Sequence, residues 1–198
     1  MSGARPQVGI LAVQGDVDAH ARALIRLGAH VRHVLRAKDL DAIDALVLPG
    51  GESTTIAKGL ERLGLYEPLE SYARAGRPLL GTCAGAVLLA REVENHPVRS
   101  LGVLDAVAVR NAYGTQVDSF ATGVEESAPG FEGMRCVFIR APRLRDPGPG
   151  VEVLAQVGGW PVLVREQNVL ASTFHPELSR DGRVQQLLLD LIPVELAR

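Results

Sequence analysis

Apolar residues follow two rhythms in the first half of the chain and mostly one in the second. Residues 8–13 form an uninterrupted apolar run that stops at Gln14-Gly15-Asp16, the pattern of a buried strand followed by a turn. Over residues 17–27 the apolar positions Val17, Ala21, Leu24, Ile25 and then Gly28 recur at helical spacing, with Asp16 as cap and Gly28 as stop. His20 is expected on the surface of that helix. Residues 31–35 and 45–48 read as two more strands, the second ending at Pro49-Gly50-Gly51. Ser53 is the expected N-cap of a helix running to about Leu63. Leu79 and Leu80 belong to a fourth strand, and residues 84–91 to the helix after it. Strands that alternate with helices imply a parallel sheet covered on both faces.

The second half is written in short strands, over residues 101–109, 135–139, 151–157, 161–164 and 169–173. Turns such as Asp146-Pro147-Gly148-Pro149-Gly150 and Gly158-Gly159 separate them, so antiparallel strands are expected to join the sheet. A last helix over 180–191 places Val184, Leu187, Leu188 and Leu191 on one face. The expected class is α/β: a three-layer, flavodoxin-like, mostly parallel sheet with helices on both faces and an added antiparallel strand layer in the second half. No repeat and no long linker divides the chain, so residues 1–198 are expected to form a single domain.

Composition narrows the function. With 198 residues, 46% hydrophobic and 22% charged, the chain can build a core without staples. A net charge of −2 gives no broad basic face, so no nucleic-acid partner is expected. The start, MSGARPQ, has no apolar stretch behind it and does not read as a signal peptide. The longest charge-free apolar run, between Arg77 and Arg91, is broken by Gly81 and Gly85 and falls short of a membrane span. No membrane partner is expected. Two cysteines, Cys83 and Cys136, allow neither a disulfide framework nor a four-cysteine zinc site, which fits a reducing cytoplasm.

Three segments carry chemistry. Gly81-Thr82-Cys83-Ala84-Gly85 joins a strand to a helix and is the cysteine form of the G-x-S-x-G nucleophile elbow. The turn would project the sulfur at the strand's carboxyl end, the helix dipole would favour thiolate, and the Ala84 amide would face a developing oxyanion. In Phe174-His175-Pro176-Glu177, Pro176 would hold the chain extended, so that His175 and Glu177 project together and the carboxylate orients the imidazole. Pro49-Gly50-Gly51-Glu52-Ser53 is a glycine-rich turn whose amides could supply a second oxyanion donor; it lacks the lysine of a phosphate-binding loop. The bland readings are a buried core cysteine, a solvated surface histidine and a simple capped turn. Cysteine elbow and His-x-Glu in one chain favour a Cys83–His175–Glu177 triad instead. His30 and His33 do not pair on one strand face, His96 falls in a loop, Cys136 is expected to fill core space, and no cluster has metal-ligand spacing. Neither metal nor organic cofactor is expected.

The segments GTCAG (81–85), LPGGESTT (48–55) and STFHPEL (172–178) resemble those of the class I, triad-type glutamine amidotransferases. Residues 8–17 (VGILAVQGDV), 110–120 (RNAYGTQVDSF) and 138–142 (FIRAP) are similar to the family of glutaminase subunits of pyridoxal 5′-phosphate synthases, over about residues 8–188. The resemblance implies hydrolysis of L-glutamine to glutamate and transfer of ammonia to a barrel-shaped synthase subunit. It implies Cys83 as nucleophile, His175 as general base and acid, and Glu177 as orienter. Glutamine would be bound by Gly51, Glu52, Ser53, Arg110, Ile139 and Arg140. The oxyanion hole would come from the amides of Gly50, Gly51 and Ala84, with Gln14 near the interface with the synthase. The family usually has arginine at Thr115 and glutamate at Ala19. The alternatives are a glutaminase serving another acceptor, such as imidazole glycerol phosphate synthase, a cysteine hydrolase of the same broad fold, and a non-catalytic interaction module.

Overall fold

A computed structural model of the chain describes residues 5–110 and 119–193. Its strands are β1 (Gln7–Leu11), β2 (His30–Val34), β3 (Ala45–Leu48), β4 (Leu79–Thr82), β5 (Ala90–Glu94), β6 (Leu104–Val109), β7 (Ser119–Gly123), β8 (Glu126–Ser127), β9 (Arg135–Ile139), β10 (Arg143–Arg145), β11 (Glu152–Val157), β12 (Trp160–Glu166) and β13 (Val169–Ser172). Its α-helices are α1 (Val17–Arg26), α2 (Ser53–Arg62), α3 (Tyr66–Arg74), α4 (Ala84–Leu89) and α5 (Arg183–Asp190).

Among the described residues the main sheet has eight strands in the order β2-β1-β3-β4-β13-β12-β11-β8. From β2 to β13 neighbours run parallel, and from β13 onward they pair antiparallel. The expected antiparallel strands thus extend the parallel sheet edge to edge. The remaining strands make two small sheets, β10-β6-β5, in which β5 and β6 run parallel and β10 antiparallel, and the antiparallel pair β7-β9.

The inner parallel strands β1, β3, β4 and β13 are buried on both faces because their side chains alternate between two cores, whereas the edge strand β2 is largely exposed. On β3, Leu46 and Leu48 enter one core with Ile56 and Leu60 of α2, Leu69 of α3 and Val87 and Leu88 of α4. Ala45 and Val47 enter the other with Val8, Ile10, Leu24 of α1, and Val184 and Leu188 of α5. Helices α2, α3 and α4 therefore cover one face, and α1 and α5 the other. No helix among the described residues is long and apolar enough to cross a membrane.

Four local expectations change. The helix expected over 84–91 ends at Leu89, because Ala90 turns extended and pairs with Leu104. The last carbonyls of α4 are then satisfied by the amides of Leu101 and Val103. In α1 the buried stripe is Ala19, His20, Ala23 and Leu24, while Ile25 is 58% exposed. The helix is rotated from the expected face, and His20 lies inside rather than on the surface. The cap of α2 is Glu52, not Ser53: its carboxylate accepts from the Thr54 and Thr55 amides, and Ser53 becomes the first helical residue. The last helix begins at Arg183, three residues later than expected. Helix α3 carried no expectation.

The elbow at Cys83 depends on close approach of backbone to backbone. Cys83 has φ 49° and ψ −106°, a conformation that costs a non-glycine residue on the order of 1–3 kcal/mol. A Cβ on Gly85 would run into the Leu48 carbonyl oxygen, so β3 and α4 can pack this closely only with glycine there. Gly85→Ala is expected to destabilise the protein by about 1–3 kcal/mol, read as a lower urea midpoint. An unchanged midpoint would contradict that contact.

Candidate active site

The residues singled out in the sequence converge where the parallel strands end. Gln14 follows β1, the Gly50-Gly51 turn follows β3, Cys83 follows β4 and His175 follows β13. Carboxyl ends of neighbouring strands are where an open α/β sheet leaves a crevice. A pocket of about 260 Å³ lies there, lined by Gly51, Glu52, Ser53, Cys83, Ala84, Arg110, Ile139, Arg140 and His175, and also by Gln14, Val87 and Pro142.

His175 and Glu177 meet at 2.7 Å, Nδ1 to Oε1. The carboxylate can only accept, so Nδ1 carries the proton and Nε2 is left for the sulfur side of the site. The expected reason for their meeting needs correction. Residues Pro176–Leu178 form a single 3₁₀ turn, not an extended segment, and that turn folds Glu177 back beneath the ring. The loop is tied to the rest of the wall by the His175 amide, which donates to Val137 O of β9 at 2.8 Å. The Glu177 side chain is 1% exposed and the His175 side chain 12%. The imidazole thus borders the pocket and the carboxylate lies behind it.

Burial alone would lower the His175 pKa. Hydrogen bonding to Cys83 and Glu177 outweighs burial and raises it from its ordinary 6.5 to about 10. With the folded value above the ordinary one, the imidazolium's contribution to stability is full below about pH 6.5. It is lost as pH rises through about 10. Cys83 is buried, with Sγ 3.9 Å from Ile139 O at the end of β9. A sulfur nucleophile beside an imidazole oriented by a carboxylate can attack a carbonyl carbon and return a proton to the leaving group.

Glu52 and Arg110 also line the pocket, joined to each other. Arg110 Nη2 donates to Glu52 Oε1 at 3.1 Å, and Nη1 donates to His96 O at 2.6 Å. Glu52 Oε2 accepts from the Thr55 amide and hydroxyl at 2.7 and 2.8 Å. Burial would raise the Glu52 pKa, but the hydrogen bonds from Thr55 and Thr54 hold it at about 2. Glu52 therefore caps α2 and holds the guanidinium of Arg110, which lines the pocket. Gln14 Oε1 accepts from the Glu52 amide at 2.8 Å, which fastens the turn after β1 to the turn after β3.

One expected oxyanion donor is used elsewhere. The Gly50 amide donates to Thr82 Oγ1 at 3.0 Å, and Gly50 does not line the pocket. A Cβ there would stand 2.5 Å from His175 Cε1, so the backbone is pressed against the imidazole. Gly51 and Ala84 are the expected donors that border the pocket. Ala19 is buried and spends its amide on the Asp16 cap. Thr115, with residues 111–118, lies outside the described residues. Cys136 is fully buried, and burial pushes its thiol up to about 12. No group of three His, Cys, Asp or Glu among the described residues could hold a metal ion.

Sequence reasoning missed Gln14, Val87 and Pro142 as lining residues. Val87 had a signal: it stands one helical turn beyond Cys83, on the elbow helix.

If Glu177 supports the charged imidazole, the His175 ring resonances should titrate well above pH 7 in NMR spectra, and Glu177→Gln should move the midpoint down. A midpoint at or below 6.5 in the unmodified protein would contradict this account of the pair.

A model of the SNO glutamine amidotransferase family matches residues 10–193. The chain is 47% identical over 186 residues to a protein named pyridoxal 5′-phosphate synthase subunit PdxT from Thermotoga sp. (strain RQ2), covering 94% of this chain and 99% of that one. It is 50% identical over 193 residues to a protein of the same name from Thermus thermophilus, covering 96% and 100%. A solved structure described as a crystal structure of glutamine amidotransferase superposes with a TM-score of 0.88 at 46% identity, covering 93% of this chain and 98% of the other.

Proposed function

The chain belongs to the SNO glutamine amidotransferase family, and on that premise we propose that it is the glutaminase of a pyridoxal 5′-phosphate synthase, hydrolysing L-glutamine to glutamate and ammonia through Cys83, His175 and Glu177. The whole chain acts as one glutaminase domain in the cytoplasm, and the ammonia passes to a barrel-shaped synthase subunit. The observation that carries the reading is the buried Glu177–His175 pair opening, through the imidazole, onto the pocket that holds Cys83.

Each residue has a physical task. Glutamine lies along the pocket with its α-carboxylate toward Arg110, a fixed guanidinium suited to a planar anion. Glu52 keeps that guanidinium in place, while Ser53, Ile139 and Arg140 complete the walls. The Cys83 thiolate attacks the side-chain amide carbon, and the proton held by His175 goes to the leaving ammonia. The Gly51 and Ala84 amides stabilise the oxyanion, each donor contributing roughly 2.7–4 kcal/mol to the barrier reduction. Water then loses a proton to His175 and cleaves the γ-glutamyl thioester, which releases glutamate and restores the thiolate. The Glu177 carboxylate orients and supports the imidazolium. Free ammonia is protonated in bulk water and lost as a nucleophile, so the glutaminase gains from docking on its acceptor enzyme.

Cys83→Ala is expected to lower glutamine hydrolysis at least about a thousandfold while the melting temperature holds. Retention of a tenth of the activity would remove the nucleophile assignment. Arg110→Ala is expected to raise KM for glutamine about tenfold or more and to change kcat by less than about threefold. This reflects the loss of a charged hydrogen bond in ground and transition state alike. An unchanged KM would rule out the binding role.

A further inference from the structure

His20 is a fully buried histidine outside the triad, and it touches the triad's far side. It comes from the inner face of α1. Its Nε2 stands 3.2 Å from Thr82 Oγ1 and 3.4 Å from Glu177 Oε2. Glu177 Oε1 is taken by His175, whereas Oε2 is buried and accepts no regular hydrogen bond among the described residues. A carboxylate oxygen in that position calls for a nearby positive or N–H group.

The proton of His20 can be assigned from its surroundings. Burial lowers the pKa of His20 against the pull of Glu177, so the ring is neutral and carries one N–H. Its Nδ1 has no hydrogen-bond partner among the described residues. A lone pair on Nε2 would face a carboxylate at 3.4 Å, which is repulsive, whereas an N–H there is attracted. The proton therefore sits on Nε2, between Thr82 Oγ1 and Glu177 Oε2. Thr82 Oγ1 also accepts the Gly50 amide at 3.0 Å, and a hydroxyl oxygen has lone pairs for both donors.

The contacts join into one chain around the nucleophile. It runs from Gly50 to Thr82, from Thr82 to His20, from His20 to Glu177, and from Glu177 to His175. Thr82 immediately precedes Cys83. We propose that His20 is a positioning residue for the glutaminase reaction, which fixes the Glu177 carboxylate from behind through its Nε2–H. Through Thr82 it also sets the Gly50 end of the oxyanion turn relative to the imidazole. His20 touches no substrate. Its effect falls on how well His175 and the oxyanion donors are aimed, so it appears in kcat more than in KM.

This inference rests on the triad reading of the site, and Cys83→Ala assayed alongside keeps the two apart. Glutamine hydrolysis is measured with the synthase subunit present, for His20→Leu and His20→Gln. Leucine fills the space without a donor, and glutamine can offer an N–H near the position of Nε2. His20→Leu is expected to lower kcat at least tenfold with KM changed less than threefold, and His20→Gln to recover most of the loss. A His20→Leu kcat within twofold of the unmodified chain overturns the inference and leaves the triad reading standing if Cys83→Ala is inactive. Equal losses in the two variants at equal melting temperatures also overturn it, because packing alone then accounts for His20. If His20→Leu does not fold, Thr82→Val against Thr82→Ser reads the same contact from the other side. The valine variant is expected to lose at least fivefold in kcat and the serine variant to keep it, and equal values for the two overturn the inference. Activity surviving in Cys83→Ala would bring down both readings together.

Discussion

A carboxylate that is 1% exposed must be held by groups that favour its charge, and the buried Glu177 organises the site around that requirement. One oxygen takes the His175 Nδ1–H at 2.7 Å, which decides the tautomer and leaves Nε2 for the sulfur. The other faces His20, which obliges α1 to turn a histidine inward where an aliphatic residue would otherwise fill the core. Thr82 Oγ1 meets the same His20 ring and takes up the Gly50 amide. The raised His175 pKa is the electrostatic expression of the same arrangement. An imidazole in this burial would stay neutral without the hydrogen bonds to Glu177 and Cys83.

The sheet gives that arrangement its precision. Four loops reach the site from the carboxyl ends of β1, β3, β4 and β13, and adjacent parallel strands hold their ends a few ångströms apart. Side chains alternate between the two cores along β1, β3, β4 and β13, so a one-residue slip in any of them would exchange its core contacts. The elbow is then placed by packing on both sides, and Gly85 against Leu48 O sets how close it comes to the β3 turn. The strained backbone at Cys83 persists because these surroundings over-determine it.

Much of this was legible in the chain. Strand β3 and the elbow can be read from runs of apolar residues closed by glycine, because burial on both faces and a sharp turn each leave a local mark. The Cys83–His175–Glu177 grouping is legible for the same reason, although the joining element is a 3₁₀ turn that the His-Pro-Glu spacing does not distinguish from an extended segment. His20 was misread because a polar residue in a periodic helix signals solvent, and only its tertiary partners, 62 and 157 positions away, make it an interior residue. Glu52 was misread as a binding residue alone because serine is the usual cap; a longer carboxylate one position earlier takes the Thr54 and Thr55 amides and starts the helix at Ser53. Helix α3 left a faint signal, Tyr66, Leu69 and Tyr72 at helical spacing, masked by its short length and by Pro68 in its first turn.

The account's central claim is that one cysteine, at the elbow and beside a carboxylate-oriented imidazole, carries out glutamine hydrolysis. Labelling with a glutamine-shaped electrophile, followed by peptide mapping while ammonia release is monitored, tests it most directly. Modification of Cys83 alone, in step with loss of glutaminase activity and with Cys136 untouched in its core strand, is the predicted result. Ammonia release that continues after Cys83 is fully labelled, or inactivation that tracks modification of Cys136, would contradict it.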